Sequence, residues 1–98
     1  MAVIAHVTIP GLTLKQYDEL RDVVGWLEEV PVGGIAHLVW EEADGLHGTD
    51  VWESEEAFAA FGQDRLGPGM AKLGIAAVPQ VSFQQAHDVY LPRPVTIT

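Results

Sequence analysis

Cysteine is absent from this chain of 98 residues. Disulfide bonds, thiolate metal sites and a cysteine nucleophile are therefore excluded. Basic residues are also scarce, because five lysines and arginines stand against 14 aspartates and glutamates, for a formal net charge of −9. Nucleic acid and anionic membranes both bind to basic surfaces, so we expect neither as a partner.

Long apolar runs are missing too. No stretch approaches the roughly 20 residues of a membrane-spanning helix, and the N-terminus does not have the pattern of a signal peptide. We therefore expect a cytoplasmic protein. Apolar residues make up 48% of the chain, which is enough for a hydrophobic core, and the length fits one domain.

Strand and helix signals alternate in the first part of the chain. Residues 2–10, AVIAHVTIP, are rich in β-branched residues and predict a first strand. Thr13 and Gln16 have the spacing of a capping box, and apolar residues then recur with helical period as far as Gly25. These signals predict a first helix, and we expect the side chain of Trp26 in the loop that follows to pack on the core.

A hairpin and a second helix follow. The apolar run IAHLVW, residues 35–40, predicts the second strand, and Asp44-Gly45 is a hairpin turn signal before a third strand at about residues 47–53. Ser54 is a typical helix cap. We expect Gly67-Pro68-Gly69 to interrupt the second helix, and Met70 to Leu73 to resume a helical turn that Gly74 closes.

The fourth predicted strand, VSFQQAHDVYL at residues 81–91, completes the order β-α-β-β-α-β. This order predicts an α+β, ferredoxin-like fold, with a four-stranded antiparallel sheet in the order 4-1-3-2 and both helices on one face. The domain is expected to span residues 1–91, and residues 92–98 to form an extended arm. Because the other face has no cover, we expect two copies to pair face to face as a homodimer.

Four segments resemble a known group of proteins. They read IPGLTLKQYDEL, DVWESEEAFAAF, RLGPGMAKLGI and PQVSFQQAHDV. From Ala2 to Val89 the chain resembles bacterial proteins of the dimeric α+β barrel superfamily, and within it the antibiotic-biosynthesis-monooxygenase-like group. The resemblance implies a substrate cavity between the sheet and its own helices. It leaves the reaction open, because this architecture hosts cofactor-free oxygenases, isomerases, cyclases, haem enzymes and proteins without known activity.

Three of the four histidines lie in predicted strands: His6, His37 and His87. Matching the strand midpoints places His6 and His87 on one face, with Asp50 near His6 and across the hairpin from His37. Neutral imidazole transfers protons near pH 7, and a neighbouring carboxylate fixes its tautomer. We therefore predict His37, His87, Asp50 and His6 as catalytic residues, although a shift of one residue in strand register would reverse their faces.

Each candidate also has a purely structural interpretation. A histidine in a strand is commonly a hydrogen-bonded core or interface residue, and Asp50 could orient a histidine or pair with Arg65 or Arg21. For His37 the face of the sheet decides between these roles. Facing the helices it would line the pocket, and facing a partner sheet it would belong to an interface. We predict the pocket.

Aromatic side chains are the predicted ligand-binding residues: Trp40, Trp52, Tyr17, Phe58 and Phe61. Core or interface packing is the alternative for the tryptophans, and Trp40 has the opposite strand parity to His37. The predicted function is a small-molecule enzyme that uses His/Asp proton transfer on an aromatic or polyketide-like substrate. The reaction would be of the isomerase, cyclase or cofactor-free monooxygenase type, and no cofactor is expected.

Two other functions remain open at this point. The chain could be a non-catalytic module for small-ligand binding or dimerisation, in which the histidines only stabilise the fold. Alternatively, two or three histidines with a carboxylate could hold a divalent metal ion, although the candidate ligands are scattered over several strands and form no recognised motif.

Overall fold

One antiparallel sheet of four strands forms the base of the molecule. The computed structural model describes all 98 residues, Met1 to Thr98. The strands are β1 (Val3–Pro10), β2 (Gly34–Glu42), β3 (Gly45–Trp52) and β4 (Gln80–Gln85). They lie in the order β2-β3-β1-β4, which confirms the predicted ferredoxin-like order read from the opposite edge.

Two helical segments cover one face of this sheet. The first is α1 (Leu14–Val24), and the second joins α2 (Glu55–Phe61), a π-helical segment (Gly62–Leu66) and α3 (Gly67–Lys72). Thr13 and Gln16 form the predicted capping box at the start of α1, and Gly25 ends this helix with a φ of 74°. The hydroxyl of Ser54 caps α2 by accepting the backbone N–H of Ala57. None of the helices has the length and apolar character needed to cross a membrane.

The predicted interruption of the second helix at Gly67-Pro68-Gly69 is wrong, whereas the predicted helical turn from Met70 is confirmed as part of α3. The helical path continues through the proline, and the backbone N–H of Gly67 bonds to the carbonyl of Gly62 in the π-helical segment. Proline has no N–H to donate, and in a regular α-helix its ring clashes with the carbonyl four residues earlier. The wider turn just before Pro68 relieves this clash, so the helix can continue to Lys72.

The fourth strand is shorter than predicted, because it ends at Gln85 rather than at residue 91. Gln85 pairs with Val3, the first residue of β1, and the backbone N–H of Ala86 makes a last bond to the carbonyl of Ala2. Beyond that point β1 offers almost no further backbone to pair with. His87, which was expected inside the strand, therefore lies past its end.

The layer between helices and sheet has an aliphatic half and an aromatic half. The aliphatic half contains the buried residues Ile9, Leu12, Leu20, Leu46 and Met70. The aromatic half contains Trp52, Phe58, Phe61 and Phe83, with ring centroids 5.3 to 5.7 Å apart. The predicted packing of Trp26 on the core is confirmed, because its ring contacts Tyr17 and Phe61.

The opposite face of the sheet carries no helix, and we call it the open face. Its side chains mix apolar and polar types, and they include Ile4, His6, Thr8, Leu38, Trp40, His47, Thr49 and Val51. Leu38 is 58% exposed and Trp40 is 43% exposed.

Gly69 is buried where α3 meets α1. A Cβ atom added to Gly69 would lie 2.6 Å from Cγ2 of Val24 and 3.3 Å from Cδ1 of Leu20. We expect Gly69→Ala to lower the free energy of unfolding by about 1–3 kcal/mol, the usual effect of overpacking a core. Gly62→Ala is the matched control, because a Cβ there meets nothing within 4 Å. Urea unfolding measures both variants, and an equal effect of the two would contradict the close contact between the helices.

Candidate functional site

The site is built around Asp50, the only charged side chain that is buried. It pairs with Ala5 of β1, which places its carboxylate on the helix-covered face of the sheet. A buried carboxylate is stable only when N–H groups satisfy its oxygens. Two groups do so here, because Nε1 of Trp52 donates to Oδ2 at 3.1 Å and Nδ1 of His37 lies 2.6 Å from Oδ1.

His37 lies directly across the β2–β3 hairpin from Asp50. The predicted cross-hairpin contact between the two residues is confirmed, and the side chain of His37 faces the helices. About 41% of this side chain is exposed, whereas only 11% of the Asp50 side chain is. The imidazole is therefore anchored on the buried side and accessible on the other.

Tyr17 of α1 extends this arrangement into a hydrogen-bonded chain. Its hydroxyl oxygen lies 2.7 Å from Nε2 of His37. Because an ionised carboxylate can only accept, Nδ1 of His37 carries the proton that is donated to Asp50. When the ring is neutral, Nε2 is an acceptor, and the Tyr17 hydroxyl donates to it. In that form the two hydrogen bonds fix one tautomer of His37.

The environment of Tyr17 keeps its phenol protonated. Burial raises the pKa of Tyr17 from 10.0 to about 12; Arg21 opposes this shift, and the negative charges of Asp50 and Asp18 add to it. At neutral pH the hydroxyl is therefore a hydrogen-bond donor, as the chain through His37 requires.

Aromatic rings surround the histidine. Tyr17 stacks on His37 with ring centroids 6.0 Å apart, and Trp26 meets it edge-on at 5.7 Å. The predicted ligand-binding residues Tyr17, Trp52, Phe58 and Phe61 lie on this same face. Trp52, however, is 4% exposed and packs against both phenylalanines. Trp52 therefore lies in the core, where its indole N–H donates a hydrogen bond to Asp50.

The predicted grouping of His6 with Asp50 is wrong. The structure pairs His6 with Thr49 on β3 and with Ser82 on β4, whereas Asp50 pairs with Ala5. Consecutive residues of a strand point to opposite faces of the sheet, so His6, opposite Thr49, and Asp50 lie on different faces. His6 therefore lies on the open face, where its ring contacts the side chain of Gln84 at 3.1 Å.

His87 does not join the site either. It lies beyond the end of β4, it is exposed, and its side chain makes no hydrogen bond to another residue. Of the four predicted catalytic residues, the structure thus brings together only His37 and Asp50.

Trp40, predicted as a ligand-binding residue, lies on the open face. Its ring stacks on His47 with centroids 5.9 Å apart, and its N–H donates to Glu42. His47 in turn contacts Asp44 at 2.6 Å. This hydrogen bond lowers the pKa of Asp44 and raises the pKa of His47.

The metal hypothesis required histidines from several strands to converge. His6, His37 and His87 do not do so. The one group of three potential ligands comprises Glu42, Asp44 and His47 at the hairpin tip, with ligand atoms within 4.8 Å of one another. This group is mostly exposed, and its contacts are the hydrogen-bonded pairs already described.

Two open clefts border the helix-covered face. The first, about 320 Å³, lies between α2 and β4 and is lined mainly by Phe58, Val81 and Phe83. The second, about 440 Å³, lies between residues 35–38 of β2 and a C-terminal wall formed by Leu91 and residues 93–96. We call the second one the edge cleft. His37 lines the edge cleft, so the histidine is reached from the edge of the sheet.

The expected cavity between sheet and helices is largely filled by the core. The C-terminal wall contributes Arg93 to the edge cleft, a residue that sequence reasoning did not select. A sequence signal was present nonetheless, because Arg93 is flanked by Pro92 and Pro94, and two prolines restrict the backbone around the residue between them.

Comparisons with known proteins find solved structures that share this fold. Neither a protein-family model nor a curated protein sequence matches the chain. Among solved structures, SnoaB from Streptomyces nogalater, a cofactor-independent oxygenase, is 16% identical with a TM-score of 0.59 over 94% of this chain and 97% of that one. NE2512 from Nitrosomonas europaea, a protein of unknown function, is 13% identical with a TM-score of 0.69 over 95% and 96%.

A third structure is that of a Deinococcus radiodurans protein proposed to be an antibiotic biosynthesis monooxygenase. It is 16% identical, with a TM-score of 0.57 over 94% of this chain and 99% of that one. At such identities the likeness shows a shared fold. The fold implied by the resemblance of the sequence to the antibiotic-biosynthesis-monooxygenase-like group is thereby confirmed.

The raised pKa of Tyr17 can be measured directly, because Tyr90 is the only other tyrosine. In a Tyr90→Phe variant the absorbance of tyrosinate reports Tyr17 alone. We expect a midpoint near 12, so that about one tenth of the phenol is ionised at pH 11 while circular dichroism shows a folded chain.

The same shift predicts the direction of the pH dependence of stability. The folded chain holds the phenol proton more tightly than the unfolded chain, so the free energy of unfolding falls as the pH rises from about 10 towards about 12. A titration midpoint near 10 in the folded Tyr90→Phe variant would contradict both expectations.

Proposed function

We propose that this protein is a small-molecule enzyme in which His37, held by Asp50, removes a proton from the substrate. The observation that carries the proposal is the hydrogen-bonded chain from Asp50 through His37 to Tyr17. It combines a buried carboxylate with an imidazole that is anchored at Nδ1 and partly exposed, and His37 also lines a cleft. These are the properties expected of a general base near neutral pH.

A purely structural role accounts less well for this arrangement. Burying a carboxylate and an imidazole together costs desolvation energy, and apolar residues of similar volume often stabilise a core at least as well. In addition, about 41% of the His37 side chain is exposed, so its imidazole is accessible from outside the core. The combination of an anchored and an accessible side favours chemistry at the accessible side.

The proposed step is a proton transfer. An acidic O–H or C–H of the substrate takes the place of the Tyr17 hydroxyl at Nε2 of His37. The proton moves to Nε2, and the electron pair of the broken bond stays on the substrate, which becomes an anion. Asp50 lies 2.6 Å from Nδ1 and stabilises the imidazolium that forms. A positioned base of this kind typically accelerates a reaction about 10²- to 10⁴-fold.

Three reaction classes share this first step. The anion can be reprotonated at another carbon, which is isomerisation, or it can attack a carbonyl of the same molecule, which is cyclisation. With molecular oxygen as oxidant, a CH₂ group becomes a carbonyl, one oxygen atom is retained and the other leaves as water. The likeness in fold to SnoaB, a cofactor-independent oxygenase, favours the third class. Apolar residues around His37 favour an aromatic or polyketide-like substrate.

The first test uses 1,8-dihydroxyanthrone, a compound with an acidic CH₂ group. Under nitrogen in D₂O, we expect the wild type to accelerate the exchange of this CH₂ for deuterium, measured by NMR. His37→Gln is expected to lower the enzymatic rate by about 10²- to 10⁴-fold, because it removes the base. Asp50→Asn is expected to lower it as well. His87→Gln is the matched control and is expected to keep the wild-type rate.

The outcomes separate the candidate functions. Equal exchange rates for the wild type and His37→Gln would contradict the proposal. Saturable binding without accelerated exchange would also contradict it, and would identify a non-catalytic binding module. When exchange is accelerated, oxidation in air faster than the uncatalysed rate assigns a monooxygenase, and exchange without faster oxidation assigns isomerase or cyclase chemistry.

We also propose that two copies of the chain pair through their open faces. This face has no helix over it, and Leu38 and Trp40 expose 58% and 43% of their surface there. Two-fold pairing of identical faces would cover both sheets in one step.

The dimer is tested with His6→Glu. His6 lies on β1, a central strand, so face-to-face pairing would bury the new carboxylate, whereas in the isolated chain this position is exposed. By sedimentation equilibrium we expect twice the chain mass of 10.6 kDa for the wild type and a single chain mass for His6→Glu. Val78→Glu, at a 75% exposed loop position, is the control and is expected to stay dimeric. A monomeric wild type would overturn the pairing.

A further inference from the structure

The C-terminal wall of the edge cleft brings a permanent positive charge to the cleft that contains His37. Arg93 is the only side chain among the cleft-lining residues that is charged at every accessible pH, and no carboxylate lines the cleft. In a chain with 14 acidic residues and five lysines and arginines, this local excess of positive charge is contrary to the overall composition.

Arg93 also differs from the other two arginines in its contacts. Arg21 lies within ion-pair distance of Asp18 and Asp22, and Arg65 donates to the backbone carbonyl of Val24. The guanidinium of Arg93 makes no hydrogen bond or ion pair with another residue of the chain. Its five N–H donors are therefore free to bind a ligand in the cleft.

The backbone around Arg93 is restricted by its neighbours. Pro92 and Pro94 each fix their own φ near −65°, and a residue before a proline is confined to extended conformations. Little conformational entropy is therefore lost when the backbone of Arg93 is held in place on binding. The cleft lining also includes apolar side chains that can contact the hydrocarbon part of a ligand, Ile35, Leu38, Leu91 and Val95 among them.

We propose that Arg93 binds an oxyanion of the substrate, and that the substrate is a small, mainly apolar organic acid. This inference deepens the proposed function and rests on it for the role of His37. The volume of about 440 Å³ lies within the usual range for small-molecule sites. With the acidic proton at His37, the guanidinium of Arg93 stabilises the negative charge carried by the substrate.

The oxyanion has two possible sources that share this chemistry. It is either a carboxylate that the substrate carries before the reaction, or the enolate or phenolate oxygen that forms when His37 takes the proton. A guanidinium binds both, because its donors match planar oxygen groups. The experiment below has one arm for each source.

The carboxylate arm is an NMR titration of the ¹⁵N-labelled full chain with 1-hydroxy-2-naphthoate. We expect chemical-shift changes at residues 35–38 and 91–96, and an increase in Kd of about 10-fold or more in Arg93→Gln, which is typical of losing a charge-assisted hydrogen bond. Lys72→Gln makes the same change in charge away from the cleft and is expected to keep the wild-type Kd. 1-Naphthol, which lacks the carboxylate, is expected to bind both chains equally.

The enolate arm compares Arg93→Gln with the wild type in the 1,8-dihydroxyanthrone exchange assay. A fall in exchange rate of about 10-fold or more, with unchanged binding of both naphthalene probes, assigns the oxyanion to the anion that forms during the reaction. A change in either arm supports the role of Arg93. If Arg93→Gln changes nothing in either arm, the role of Arg93 is overturned. Chemical-shift changes that are confined to the cleft lined by Phe58 and Phe83 would also overturn it.

These results are separate from those that test the proposed function. If His37→Gln loses the exchange activity while Arg93→Gln behaves like the wild type in both arms, the proposed role of Arg93 is rejected and the proposed enzymatic function is retained. If Arg93→Gln binds 1-hydroxy-2-naphthoate more weakly but the wild type does not accelerate exchange, the proposed enzymatic function is rejected and the anion-binding site is retained.

Discussion

The buried carboxylate of Asp50 is the constraint on which the rest of this structure depends. Its two oxygens need N–H donors, and β3 and β2 supply them through Trp52 and His37. The orientation of the His37 ring, and with it the hydrogen bond between His37 and Tyr17, follows from satisfying this one group. The carboxylate is enclosed, whereas about 41% of the His37 side chain is exposed, so the same interaction that satisfies the buried group leaves the imidazole partly accessible.

The contact between His37 and Asp50 was predictable because it is local. A short turn joins β2 to β3, and a short turn fixes both the register and the face of each residue. His6 was misplaced because no such turn links β1 to β4, and β1 meets both of its neighbours only through helical crossovers. The capping residues Thr13 and Ser54 were identified for the same reason as the hairpin, since their partners lie three residues away.

Other features depend on contacts between distant parts of the chain, and their sequence signals are weak. The end of β4 is determined by the position at which β1 begins. The position of Arg93 is determined by the path of the C-terminal residues beside β2. The same distinction applies to function. Solved structures at 13% to 16% identity share the fold, so the sheet and helices tolerate wide sequence change. The proposed chemistry rests on individual side chains, His37 above all.

The π-helical segment has a geometric consequence for the second helical segment. A residue of an α-helix advances about 100° around the axis, so two residues nine positions apart fall on opposite sides. Phe61 and Met70 have this spacing, yet both pack towards the sheet. The extra residue in the π turn resets the phase of the helix between them. One continuous helix can therefore direct its first half to the aromatic surroundings of the site and its second half to the aliphatic core.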